Sequence, residues 1–265
     1  AEYQRRLRDE PGAISNLYLQ PLPTFSDLSD AEVLLIVRAV GLNFRDVLNV
    51  LVEHPGDPGP PGGDSSGVVI EADGAGRAVF GMGHAPLACA ARALKLFVAG
   101  TPSALSFEQA STLPVTWSTT HLALSRAQLR AGQSILLQAA AGGVGLKAVE
   151  YAQWLSAPSV GTAGRPYKHA ELIVAGVGGL CSSRDSAAFA VGVTSQLRAG
   201  RAYAVCNSLS SDFISASFAT LGEEGAFEEI GKRSIWASER HLTATPITSY
   251  CAIALDADMA EGPAW

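Results

Sequence analysis

The residues Ala140-x-Gly142-x-x-Gly145 stand between the apolar run "SILLQ" and the helix-like segment "GLKAVEYAQWL". That spacing is a dinucleotide-binding fingerprint with alanine in the first glycine's place, and Gly143 and Val144 fill out the loop. The middle glycine lets a pyrophosphate lie against the backbone, and the last lets helix and strand pack closely. The helix N-terminus adds unpaired N–H groups and a positive dipole end. A strand before and a helix after are the context such a motif requires; a tight structural turn is the alternative. About 20 residues further on, where an acidic group would hold a ribose 2′-hydroxyl, the chain reads "GTAGRPYKHAEL", with Arg165 and Lys168 and no carboxylate before Glu171. Two cations suit a 2′-phosphate, hence NADPH; otherwise they are solvated charges at a helix start.

These residues need a scaffold. In 265 residues there is room for two lobes. Up to residue 118 the chain reads as short strands broken by turn chemistry such as "HPGDPGPPGGD", which suits a mainly β lobe. Residues 119–244 alternate apolar strands with helical patterns, the mark of a doubly wound parallel sheet of Rossmann type in an α/β protein. Residues 245–265 turn strand-like again and are expected to complete the first lobe.

Charge and cysteines exclude several functions. The net charge is −6 and the cations are scattered, so a nucleic-acid partner is not expected. No apolar window reaches the ~18 residues of a membrane span, and the first residues carry no leader-like apolar stretch. Cys89, Cys181, Cys206 and Cys251 stand far apart, which fits free thiols in a reducing compartment and a cytoplasmic location.

The ordered segments "GLNFRDVLNVLVEHPGDPG", "GGDSSGVVIEA", "LSFEQASTLPVTWSTTHLAL", "LLQAAAGGVGLKAVEYA", "CSSRD", "VCNSLS" and "FEEIGK" resemble the enoyl reductase domains of polyketide and animal-type fatty acid synthases. These are zinc-independent members of the medium-chain dehydrogenase/reductase superfamily. The resemblance runs from Pro11 to Asp256 and implies a GroES-like lobe beside the Rossmann lobe. It also implies that the first lobe is truncated, since the resembling domains continue for several more elements. Where zinc-dependent relatives carry Gly-His-Glu, this chain has Gly62-Gly63-Asp64, and no paired ligand spacing surrounds it, so no metal is expected.

The implied reaction is NADPH-dependent reduction of a trans-2-enoyl thioester on an acyl carrier protein. Neighbouring synthase domains are the implied partners, with dimerisation through the parent synthase. A free-standing quinone or alkene reductase and an inactive structural domain are the alternatives. The resemblance nominates Lys232 and Asp256 for protonation; a solvated cation and a turn residue are the plainer readings. Asn43 and Asp46 resemble residues near the nicotinamide, or they cap a helix. Thr119 matches a cofactor-contacting threonine, or is itself a cap. Asn207 and Ser208 end a strand where open α/β sheets bind ligands. His54 stands where the family has tyrosine or valine. Histidine is able to donate a proton near neutral pH, although an exposed loop position is the plainer expectation.

Overall fold

The computed structural model describes residues 3–7, 12–22, 28–54, 60–70, 75–197 and 200–261. It divides into two units, with the boundary between Val115 and Thr116. In the first unit, β1 (Tyr3–Leu7) and β2 (Leu17–Pro21) form an antiparallel pair. After it come β3 (Glu32–Gly41), α1 (Phe44–Val50), β4 (Asp64–Ile70), β5 (Gly76–Met82), β6 (Ala90–Leu94), β7 (Val98–Gly100) and α2 (Phe107–Ala110). The five later strands make an antiparallel sheet in the order β6-β3-β4-β5-β7. Alternation in the strands places Leu35, Val69 and Val79 on one buried face, backed by Val33, Val37 and Val98.

The second unit takes in α3 (Pro114–Arg126) from Thr116 on and alternates β8 (Ile135–Leu137), α4 (Gly143–Trp154), β9 (Ser159–Ala163), α5 (Pro166–Val174), β10 (Gly179–Ser182), α6 (Ser186–Gln196), β11 (Ala202–Asn207), α7 (Asp212–Phe218) and β12 (Leu221–Glu229). It closes with α8 (Ser238–Ala244), β13 (Ser249–Ala252) and α9 (Leu255–Glu261). All six strands run parallel in the order β10-β9-β8-β11-β12-β13. The order reverses between β8 and β11, which makes their carboxyl ends the ligand-binding edge of such a sheet. One face buries Leu137, Val149, Leu172 and Ala204; the other buries Leu136, Phe189, Val205 and Phe227.

Two expectations differ from this arrangement. Residues 249–252 do not return to the antiparallel sheet: β13 is the sixth parallel strand, with Tyr250 in register with Phe227 and their rings 5.8 Å apart. The aromatic surface beside β12, which also holds Phe218 and His241, is what this strand covers. The second unit also begins earlier than residue 119, because proline opens α3 at residue 114, the position a helix start favours.

One row in this sheet makes a stability prediction. Cys206, Glu228 and Cys251 are register partners on β11, β12 and β13, and Glu228 is 2% exposed with Oε2 lacking a hydrogen-bond partner among the described residues. Burial pushes its carboxyl from 4.5 up to about 8, against the weaker pull of Arg126. Glu228 is thus neutral in the native protein while the unfolded chain ionises from about pH 4.5 upward. Stability is therefore lost between about pH 4.5 and 8, on the order of 5 kcal/mol. Glu228→Leu is expected to raise Tm by about 5–10 °C at pH 8.5 and by much less at pH 5, read by thermal unfolding.

Candidate functional site

The loop from β8 to α4 is built by close approach. Gly142 is the N-cap of α4, with Gly143 and Val144 in its first turn. A Cβ on Gly145 would stand 2.5 Å from Ala139 O and 2.6 Å from Ala140 Cα, so only glycine lets the helix rest on this backbone. Ala139 carries φ +47°, a left-handed conformation that non-glycine residues adopt at a cost. Ala140 takes the first glycine's place without strain: its φ is not positive, its N–H donates to Thr162 O at 2.9 Å, and it is fully buried.

Beside that loop lies a cavity of about 550 Å³ lined by the carboxyl ends of four strands. Ala139 and Gly142 follow β8, Gly164, Arg165 and Lys168 follow β9, Ser183 and Arg184 follow β10, and Leu209 follows β11. Three cations therefore border the cavity, and among the described residues no carboxylate lines it. Arg165 is the N-cap of α5 with Pro166 behind it, and Arg184 Nε donates to Gly164 O at 3.5 Å. Sequence reasoning missed Arg184. Its signal was a cation directly after the short run "GLCSS", in the position that Arg165 holds after β9.

The residues present fit a nicotinamide dinucleotide. The glycine loop leaves room at a helix N-terminus for a pyrophosphate, and the cation set next to it matches a phosphate in charge.

The second group of nominated residues gathers at the ends of β11 and β12. Asn207 is fully buried; its Nδ2 donates to Leu209 O at 2.8 Å and to Glu229 Oε2 at 2.6 Å, and its Oδ1 has no partner among the described residues. Ser208 Oγ donates to Gln138 O at 3.2 Å. Lys232 is half-buried, and its Nζ donates to Ile253 O at 2.7 Å. Asp256 falls in α9; its side chain lies outside the described residues. Thr119 is buried inside α3 and is not a helix cap.

In the first unit, Asn43 is the N-cap of α1 and its N–H donates to Asp46 Oδ2 at 2.8 Å, while its Nδ2 donates to Asp64 Oδ2 at 2.9 Å. Asp64 also accepts Val115 N–H at 2.7 Å; burial nevertheless pushes it up to about 7. His54 is not an exposed loop residue. It is half-buried in the bend after α1, with Nδ1 shielded and lacking a partner among the described residues. Among the described residues no group of three or more His, Cys, Asp or Glu side chains is placed to hold a metal ion, and no helix is long and apolar enough to cross a membrane.

No protein-family model matches the chain. It is 35% identical over 241 residues to erythronolide synthase EryA2 of Saccharopolyspora erythraea, an alignment covering 87% of this chain and 7% of the synthase. The crystal structure of CurK enoyl reductase is 33% identical with a TM-score of 0.90, covering 99% of this chain and 83% of that one. This chain belongs to the enoyl reductase family. Mycobacterial Rv1454c, solved in complex with NADPH, shares the fold of this enoyl reductase with a TM-score of 0.84 at 21% identity, over 99% of this chain and 88% of its own. Curated relatives that the enoyl reductase matches include polyketide synthases of which it spans from 4% to 16% of the length. Glu229 was not singled out in the sequence: β12 reads LGEEGAFEE, and composition alone does not say that of its four glutamates Glu223 and Glu224 are exposed while Glu228 and Glu229 are buried.

Proposed function

We propose that this enoyl reductase uses NADPH to reduce the α,β double bond of a trans-2-enoyl thioester carried by an acyl carrier protein, as one domain of a polyketide synthase. The observation that carries the reading is the cavity bordered by Arg165, Lys168 and Arg184 and lined, among the described residues, by no carboxylate. In it the chain's own groups would hold a 2′-phosphate, with the Ala140–Gly145 loop under the pyrophosphate and Asn207, Ser208 and Thr119 toward the rest of the dinucleotide.

When bound, NADPH supplies a hydride for the thioester's Cβ. The chain must then deliver a proton to Cα. Lys232 is our choice of donor, giving up one proton from Nζ and recovering it from solvent. The Ile253 carbonyl already accepts a hydrogen bond from that nitrogen and so orients it. Asp256 is assigned the role of relaying or steadying this proton. Asn43, held by Asp64, and His54 are assigned to the substrate side. Neighbouring synthase domains, a dimer formed through the parent synthase and a cytoplasmic location belong to the same reading.

The test is direct. NADPH and crotonyl-pantetheine are mixed with the protein, extended where the parent chain continues, and nicotinamide absorbance is followed. Turnover with NADPH at least about 100-fold faster than with NADH is expected, because a 2′-phosphate held by charge contributes roughly that factor. NADPH binding without any loss of absorbance would favour a scaffolding role instead.

A further inference from the structure

Two carboxyls stand side by side at the end of β12 and are treated in opposite ways. Glu228 has an oxygen with no partner among the described residues, whereas Glu229, 1% exposed, has both oxygens occupied. Its Oε2 accepts from Asn207 Nδ2 at 2.6 Å and its Oε1 accepts Gly231 N–H at 2.7 Å. The carboxyl folds back over the turn because residue 231 is glycine: a Cβ there would stand 2.6 Å from Oε1. The main chain ties the same turn to β11, since Ile230 and Gly231 N–H both donate to Asn207 O, at 2.8 and 3.2 Å. Lys232 comes next in the chain. Its Nζ donates to Ile253 O, and Ile253 N–H donates back to Glu229 O at 2.8 Å.

Fold stability gives no reason to keep a carboxyl here. An apolar side chain of similar volume buries without the desolvation cost of a charge, and replacing buried ionic groups by such residues is often neutral or stabilising. What the carboxyl does provide is a fixed path for the two residues leading to Lys232, and a negative charge that acts on that ammonium.

We propose that Glu229 is the positioning residue of Lys232: its carboxylate pins the turn 230–232 to the end of β11 and supplies the counter-charge that keeps the ammonium placed for proton delivery. The proposal rests on the reading of Lys232 as proton donor. Burial pushes Glu229 up to about 7, opposed by the donors of Asn207 and Gly231 and by Lys232. Below that pH the carboxyl is neutral and the counter-charge is lost; above it, the charge is present. Among the described residues a further titratable neighbour on this side is Tyr250 of β13, whose phenol is pushed up to about 12 by burial first and Glu229 second. His241 of α8 stacks on the Tyr250 ring at 5.2 Å, while Cys206 and Glu228 precede Asn207 and Glu229 and so point to the opposite face of the sheet.

The chain holds four lysines, Lys95, Lys147, Lys168 and Lys232, few enough to resolve singly. Their amines are dimethylated with ¹³C, and the Lys232 signal is assigned by its loss in Lys232→Arg. In cofactor-free protein titrated from about pH 5.5 to 9, the Lys232 signal is expected to inflect near pH 7, to which burial pushes the Glu229 carboxyl. Glu229→Gln should abolish that inflection and Glu229→Asp should retain it. In turnover, the native kcat should rise through the same pH, with the limb absent and the plateau about tenfold lower in Glu229→Gln. An inflection that survives Glu229→Gln, or is missing from the native protein, overturns the proposal. If Glu229→Gln does not fold, Gly231→Ala displaces the carboxyl without removing it: a shifted or lost inflection supports the assignment and an unchanged one refutes it. Unaltered turnover in Lys232→Ala beside a clear native inflection would remove the donor role and leave the coupling of Glu229 to Lys232 standing.

Discussion

Replacing Arg165, Lys168 and Arg184 together by alanine is expected to weaken NADPH binding by about 10²–10³-fold while NADH binding changes by less than about threefold. The three side chains border one cavity, and no carboxylate among the described residues lines it to offset their charge. A charge-assisted hydrogen bond contributes about 1.5–3 kcal/mol. Arg165 and Arg184 are exposed, so salt screens their share and the sum stays below three full contributions. Fluorescence titration with each coenzyme measures the effect directly. The single variant Lys168→Ala should lose about tenfold, and Arg165→Ala and Arg184→Ala less, because Lys168 is the least exposed of the three. Equal losses for NADPH and NADH would mean that the cations act on the pyrophosphate or on the fold, and the assignment to a 2′-phosphate would fall. Raising salt from about 50 to 200 mM should narrow the NADPH preference.

How much of this was legible follows from how local each signal is. The Ala140–Gly145 loop could be read in sequence because its physics is confined to six residues: a glycine whose Cβ would strike backbone atoms is required whatever surrounds it. Arg165 and Lys168 were legible for the same reason, lying at a fixed distance from that loop. Arg184 was not, because it joins them only through the order β10-β9-β8, a fact of topology that places the end of β10 beside the end of β9. The fate of β13 was hidden in the same way. "TSYCAIALD" has a strand's composition in either sheet, and only the partners of Tyr250, the rings of Phe227 and His241, decide which one it joins. The start of α3 was available but passed over, since proline at its first position marks the helix five residues before Thr119. Asn43 fits its cap reading: its backbone caps α1, while its side-chain amide is given to Asp64, a pairing 21 residues apart that spacing cannot reveal.

Lys232→Ala is expected to lower kcat on crotonyl-pantetheine by about 10²–10³-fold, in the range general acid catalysis supplies, with NADPH affinity changed by less than about threefold. The two effects separate because Lys232 sits at the end of β12, while the cations and glycine loop assigned to the nucleotide lie at the ends of β8, β9 and β10. A structural role would behave differently: losing the hydrogen bond from Nζ to Ile253 O alone costs about 1 kcal/mol and would appear as a lower Tm with nearly normal turnover. Lys232→Arg sharpens the distinction. A guanidinium keeps the positive charge opposite Glu229 but holds its protons with a pKa above about 12. If proton donation from Nζ is the role, arginine restores stability without restoring kcat. If the charge alone orients substrate, arginine recovers most of the rate, and the proton must then come from elsewhere, with His54 and Asp256 next in line.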